Sequence, residues 1–238
     1  MDFHSTALSI VGSLLPSLLL LAYIHSQDRR KKEQLRYLAL TFAAGMFSAV
    51  VAFFLFELLE MMTVYRTIFL GSGEDDLAKA AFAMGVVGPA EECLKLAAVV
   101  LTASRLGALD EPADGIIYST AAALGFASSE NWYAMWATGG LDLGRAAVVP
   151  FVHMLFSAFS GWGLGESLAG GRKRRQWPVY LGLALASTYH GLYNYVEFIG
   201  GMWHFVTLPI VAIMWVFLTR TLGGFVRLPL QGKAPRKE

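Results

Sequence analysis

The sequence predicts an all-α fold, a polytopic transmembrane helix bundle of about seven spans. Three observations carry that reading. First, 55% of the 238 residues are hydrophobic and only 16% are charged, against roughly 45–50% and about 25% in soluble domains; mean hydropathy is +0.50. Second, the apolar residues gather into runs of about 20, the length a helix needs to cross the hydrocarbon core of a bilayer. Third, no segment shows the alternating polarity over about 10 residues that marks a membrane barrel strand.

The spans are expected at about residues 6–25, 37–62, 79–104, 115–138, 146–169, 178–199 and 203–222. The first contains "TALSIVGSLLPSLLLLAYI". It has no basic segment before it and no A-x-A-like end, so it reads as a retained helix rather than a cleaved signal. The second ends in "FELLEMM", and Glu57 and Glu60 lie close enough to its end to reach the headgroups. The third holds "VVGPAEECLKLAAVV", where Pro89 predicts a local kink. The fourth, fifth and sixth hold "GFASSEN", "PFVHMLFSAFSG" and "STYHGLYNY". No internal repeat, low-complexity tract or soluble domain interrupts them. The expectation is a single membrane-embedded domain over residues 1–238, with residues 80–200 as its catalytic motif core.

Orientation follows from the basic residues. The first loop carries Arg29, Arg30, Lys31, Lys32 and Arg36, the third Arg105, and the fifth Arg172, Lys173, Arg174 and Arg175. The C-terminal tail adds Arg220, Arg227, Lys233, Arg236 and Lys237. Only Arg66, Lys79 and Arg145 fall on the other side. The bias places the N-terminus outside and the C-terminus in the cytoplasm of a multi-pass protein of the cell membrane. The net charge of +1 gives no sign of a nucleic-acid partner; the partners expected are the lipid bilayer and a substrate within it. The single cysteine, Cys93, forms no intramolecular disulfide.

The polar residues inside these spans need a reason. A charge at the bilayer centre costs roughly 2.5–3.5 kcal/mol on insertion scales. Yet Glu91, Glu92 and Lys95 sit in the third span, Glu130 and Asn131 in the fourth, His153 in the fifth, and His190 and Asn194 in the sixth. Lys95 stands at i+4 from Glu91 and i+3 from Glu92, so it can pair with a carboxylate on its own helix face. That accounts for one glutamate and leaves its neighbour, about 100° around the helix, unexplained. Ser128, Ser129, Ser157 and Ser160, with Gly161 and Gly165, read most simply as close-packing residues. Counted from the outer ends at 1.5 Å per residue, the glutamates, histidines and Asn194 share a layer roughly 8–19 Å deep. Agreement in depth across four helices marks a functional site rather than scattered structural polars.

Carboxylates with imidazoles suit two mechanisms. In one, a glutamate is the general base that activates water, while a histidine and an asparagine stabilise the oxyanion. In the other, His153, His190 and Glu92 hold a divalent metal such as Zn2+ that acidifies its bound water. Lys95 would support either by keeping one glutamate ionised. Cys93 points to another helix face, and a lone buried cysteine is usually packing.

At these residues the sequence also resembles a family. "EECLK" matches the EExxK motif of the PrsW family of intramembrane proteases, related to the CAAX prenyl endopeptidases. The likeness continues through "DEPADGIIYSTAAALGFASSEN", "VVPFVHMLFSAFSGWGLG" and "YHGLYNY", over about residues 80 to 200 and in the family's order. It implies that Glu91 and Glu92 are the catalytic glutamates, that His153 and His190 are catalytic or ligand histidines, and that Glu130 and Asn194 complete the site. It further implies an endopeptidase acting on membrane-anchored protein substrates, such as an anti-sigma factor, on the extracytoplasmic side. One departure is "YST", where the family pattern has a glycine after the tyrosine. The rival reading is a non-catalytic membrane scaffold or a proton-coupled transporter. A transporter would show matching repeats with broken helices, and a scaffold would tolerate loss of the motif carboxylates and histidines, all of which are present.

Overall fold

Seven helices follow one another among the described residues, and each agrees with a span expected from hydropathy. In the computed structural model they are α1 (Phe3–Gln27), α2 (Leu35–Met61), α3 (residues 76–104), α4 (Pro112–Thr138), α5 (Leu143–Ala169), α6 (Trp177–Ile199) and α7 (His204–Arg227). The structure describes residues 3–28, 32–62, 76–169, 175–200 and 204–227. Arg29, Arg30, Lys31, Arg66, Arg172, Lys173, Arg174, Lys233, Arg236 and Lys237, which carry much of the orientation argument, lie outside them. Helix is the form a chain takes when no water is at hand, because every backbone donor and acceptor finds its partner within the segment.

The third helix is composite. It runs as α-helix over Asp76–Phe82, passes through a π turn at Ala83–Val87, resumes over Gly88–Val99 and ends in a second π turn at Val100–Ser104. The first π turn stands where Pro89 predicts a kink. Proline has no N–H to give to the preceding turn and crowds its carbonyl, and the wider turn absorbs that mismatch just ahead of it.

The fourth helix is the axis of the bundle. Every residue from Ala113 to Ser128 is buried, and α4 packs against α1, α2, α3, α5 and α7. Its N-terminus is set by a reciprocal cap: the Asp114 carboxylate accepts the backbone N–H of Asp110 at 2.9 Å and of Glu111 at 2.6 Å, while the Glu111 side chain caps the first turn in return. Packing in lipid depends on close approach of backbones. Gly45 of α2 lies directly over the carbonyl of Ala122, and Gly125 of α4 over that of Phe42, leaving no room for a Cβ on either.

Among the described residues, four helices are long and apolar enough to cross a membrane by length and composition: Thr6–Gln27, Leu35–Met61, Leu143–Ala169 and Phe205–Arg227. The first, second and last of these turn large side chains such as Leu19, Phe47, Phe54, Phe205 and Ile213 outward, toward lipid. The remaining three helices carry half of the buried polar groups among the described residues. Exposed Trp132, Tyr133 and Trp136 gather near the end of α4, and Trp177 and Tyr180 at the start of α6. These are opposite ends of the bundle, where amphipathic rings sit at the two interfaces.

Candidate active site

Helix α3 supplies Glu91, Glu92 and Lys95, α4 supplies Glu130, α5 supplies His153, and α6 supplies His190. What holds α3 against α6 is again backbone contact. A Cβ on Gly88 would stand 2.5 Å from the carbonyl oxygen of Ser187, and one on Gly191 would stand 2.6 Å from the Cα of Met84. These two glycines let the helix bearing the glutamates come within hydrogen-bonding distance of the helix bearing His190.

Lys95 is the hub. Its ammonium lies 2.8 Å from Glu92 Oε1, 3.4 Å from Glu91 Oε2 and 2.9 Å from His153 Nδ1. An ammonium has three donors and no acceptor, so three neighbouring acceptors use it completely. It also sits over the Phe126 ring, 4.4 Å from the centroid, where the ring's negative face favours a cation. Because Lys95 donates, His153 Nδ1 must accept. The imidazole proton is therefore on Nε2, which faces Glu130 Oε2 at 3.1 Å.

Glu92 is saturated. Oε1 meets both Lys95 and His190 Nδ1, the latter at 2.9 Å, and Oε2 accepts the Ser157 hydroxyl at 2.8 Å. The residue is wholly buried. A carboxylate on His190 Nδ1 fixes the proton there and turns Nε2, with its lone pair, into the site. Glu91 is less engaged. Its Oε2 lies 3.4 Å from Lys95 and 3.6 Å from His190 Nε2. The two imidazoles meet edge to face with centroids 4.9 Å apart, and Phe156 stacks on His190 at 4.7 Å.

Glu91, His153 and His190 each offer one ligand atom, and the three lie within 4.8 Å of one another. As donor types, two imidazoles and a carboxylate suit a divalent metal with a fourth position open. His190, supported by Glu92 on its far nitrogen in the usual way, has its Nε2 lone pair free, whereas His153 could ligate only after releasing Lys95 from Nδ1 or Glu130 from Nε2. A second group of carboxylates, Glu33, Asp110 and Asp114, lies at the other end of α4, away from the histidines.

The structure thus brings together all of the sequence-predicted site residues except Asn194. Asn194 is half-buried one turn beyond His190 on α6 and takes no part in this network. Of the two glutamates, Glu91 stands with the imidazole nitrogens, whereas Glu92, which the sequence reading put among the metal ligands, is engaged with Lys95, His190 and Ser157. Two contributors escape sequence reasoning. Ser157 resembles a packing serine, although its place one turn after His153 on the same face is a usable signal. Arg145, counted as a loop base, pairs with Glu130 Oε1 at 2.6 Å from the first turn of α5. The two side chains, each about a third exposed, are the part of the site nearest its outside.

Comparison with known proteins identifies the family of the chain. The family model described as PrsW family intramembrane metalloprotease matches residues 33–220. The chain is similar to the protein named Protease PrsW of Clostridioides difficile (strain 630), at 27% identity over 85% of each chain. It is likewise similar to the Protease PrsW of Geobacillus kaustophilus (strain HTA426), at 27% over 89% of each. With that of Bacillus subtilis (strain 168) identity is 25%, over 87% of this chain and 91% of the relative. No solved structure matches. A family match over residues 33–220, most of the chain, shows membership: this chain belongs to the PrsW family of intramembrane metalloproteases.

Proposed function

We propose that the chain is an endopeptidase that cuts membrane-anchored protein substrates on the extracytoplasmic side of the membrane, with Glu91, His153 and His190 around the attacking water. The observation that carries this reading is the division of labour between the adjacent glutamates. Glu92 has both oxygens occupied and serves to orient His190. Glu91 keeps a carboxylate oxygen beside His190 Nε2 and is free to act on water. Glu91, His153 and His190 would hold a divalent ion such as Zn2+, which when bound supplies Lewis acidity and a water of lowered pKa.

The residues of the chain do the rest. With one oxygen toward His190 and the ion, Glu91 would take the proton of the attacking water on its other carboxylate oxygen and pass it to the leaving amine. Lys95 holds Glu92 and His153 in register and offsets the charge of the paired carboxylates. Asn194, one turn beyond His190, orients the scissile carbonyl. Phe126 and Phe156 wall the two imidazoles and keep bulk water from them, which strengthens every charge interaction inside.

The side of attack rests on the mouth. Glu130 and Arg145, the partly exposed members, lie at the end of α4 that carries Trp132, Tyr133 and Trp136. By the bias of basic residues that end faces outward, with the N-terminus outside and the C-terminus cytoplasmic. A substrate helix hides its carbonyls in hydrogen bonds and frays most cheaply at its end, so the cut falls near the outer end of its membrane segment. A membrane-anchored regulator such as an anti-sigma factor has that form. The test is cleavage by the purified protein in detergent, with chelator, with metal restored, and with Glu91→Ala. Cleavage that is lost with chelator and with Glu91→Ala and returns with metal supports the reading; unchanged cleavage in Glu91→Ala overturns it.

A further inference from the structure

We infer that Arg145 is a positioning residue, which acts through Glu130 to hold His153 in the orientation the site needs. The inference rests on the catalytic reading above. A continuous chain of polar contacts runs from the partly exposed mouth to the buried centre. Arg145 Nη2 donates to Glu130 Oε1 at 2.6 Å, Glu130 Oε2 lies 3.1 Å from His153 Nε2, and His153 Nδ1 lies 2.9 Å from Lys95. His153 is thus flanked at both ring nitrogens: Lys95 hydrogen-bonds Nδ1, and Glu130 Oε2 lies within ion-pair distance of Nε2 without a well-formed hydrogen bond. Glu130 is itself held on its other oxygen by Arg145, so the guanidinium sets where the carboxylate points.

The position of Arg145 is also built. It sits in the first turn of α5 (Leu143–Ala169), where the Asp142 carboxylate accepts its backbone N–H at 2.9 Å. Asn131, next to Glu130 on α4, donates its side-chain amide to the Arg145 carbonyl at 3.4 Å. Adjacent residues of α4 therefore grip one residue of α5, one by its side chain and one by its backbone. Arg145 Nε, Asn131 Oδ1 and Glu130 Oε2 are buried without a well-formed hydrogen bond, so hydrogen bonding alone does not account for the grip. Its gain lies in fixing Glu130.

The experiment has two readouts. In a cleavage assay, Arg145→Gln should lower kcat about 10- to 100-fold, the usual cost of losing an outer-shell partner, with KM within about twofold of the wild type. Arg145→Lys, which keeps a donor to Glu130, should recover part of kcat. In the Glu130→Gln background Arg145→Gln should cost nothing further, because the pair acts as a unit. Independent of cleavage, the ring 15N resonances of His153 in histidine-labelled protein in micelles, assigned by His153→Gln, should move in Arg145→Gln while those of His190 stay. A change in KM with kcat intact would make Arg145 a substrate-binding residue instead, and additive effects with Glu130→Gln, or an unmoved His153 spectrum, would overturn the inference. An inactive wild type that nonetheless shows the His153 shift would count against the catalytic reading and leave the positioning role standing.

Discussion

Replacing Lys95 by methionine is the sharpest probe of the hub. The ammonium is 1% exposed and touches Glu92 at 2.8 Å, Glu91 at 3.4 Å and His153 at 2.9 Å. Lys95→Met keeps much of the side-chain volume but leaves adjacent carboxylates in a dry interior without their cation. Removing one partner of a buried ion pair costs about 3–5 kcal/mol, because the other charge stays behind uncompensated. At roughly 2–4 °C per kcal/mol for a chain of this size, the midpoint of thermal unfolding should fall by roughly 6 to 20 °C. The second variant, Lys95→Met with Glu92→Gln, replaces the closest ion pair with neutral groups. It should recover a substantial part of the loss, since exchanging a buried pair for uncharged residues is often close to neutral. The assay is thermal unfolding of wild type, both single variants and the double variant in one detergent, read as a double-mutant cycle. If Lys95→Met unfolds within a degree or two of the wild type, or if the two substitutions simply add, the hub is not what holds these helices together.

Four further outcomes follow, three from the geometry and one from the distribution of basic residues. Glu92→Gln should weaken metal retention about 10- to 100-fold through loss of the carboxylate that orients His190, measured by metal content after dialysis against graded chelator. Gly191→Ala should drive α3 from α6, since the added Cβ would lie 2.6 Å from the Met84 Cα, with lower thermal stability and loss of cleavage together. Gly223→Ala, where nothing lies within 4 Å, should instead stabilise α7 by up to about 1 kcal/mol. A reporter fused after Glu238 should be cytoplasmic and a tag before Met1 accessible from outside; the reverse pattern would invert the bundle.

Much of this was legible in the sequence, for identifiable reasons. Seven helices could be read because lipid enforces long apolar helices, four of them long and apolar enough to cross a membrane among the described residues. The polar residues of α3, α4, α5 and α6 stood out because such groups are costly in that setting. The roles of the adjacent glutamates could not be separated, since Lys95 is within reach of both along its own helix. The distinction came from His190 and Ser157, which meet Glu92 from other helices. Arg145 escaped notice because its partner lies on the preceding helix, across the turn that joins α4 to α5. The π turn at Ala83–Val87 has no compositional signature beyond Pro89 nearby. Gly88 and Gly191 are ordinary glycines in the sequence, and only the approach of α3 to α6 explains them.

The central claim is that peptide bonds are cut in the outer half of the membrane by the centre that Glu91, His153 and His190 form. It is tested most directly by mapping the cut. The purified protein, reconstituted in vesicles with a single-span substrate of known orientation, should yield by mass spectrometry one new terminus near the outer end of the substrate's membrane segment. That terminus should be absent with Glu91→Ala. A cut in the cytoplasmic half, or the same terminus produced by Glu91→Ala, would contradict the account.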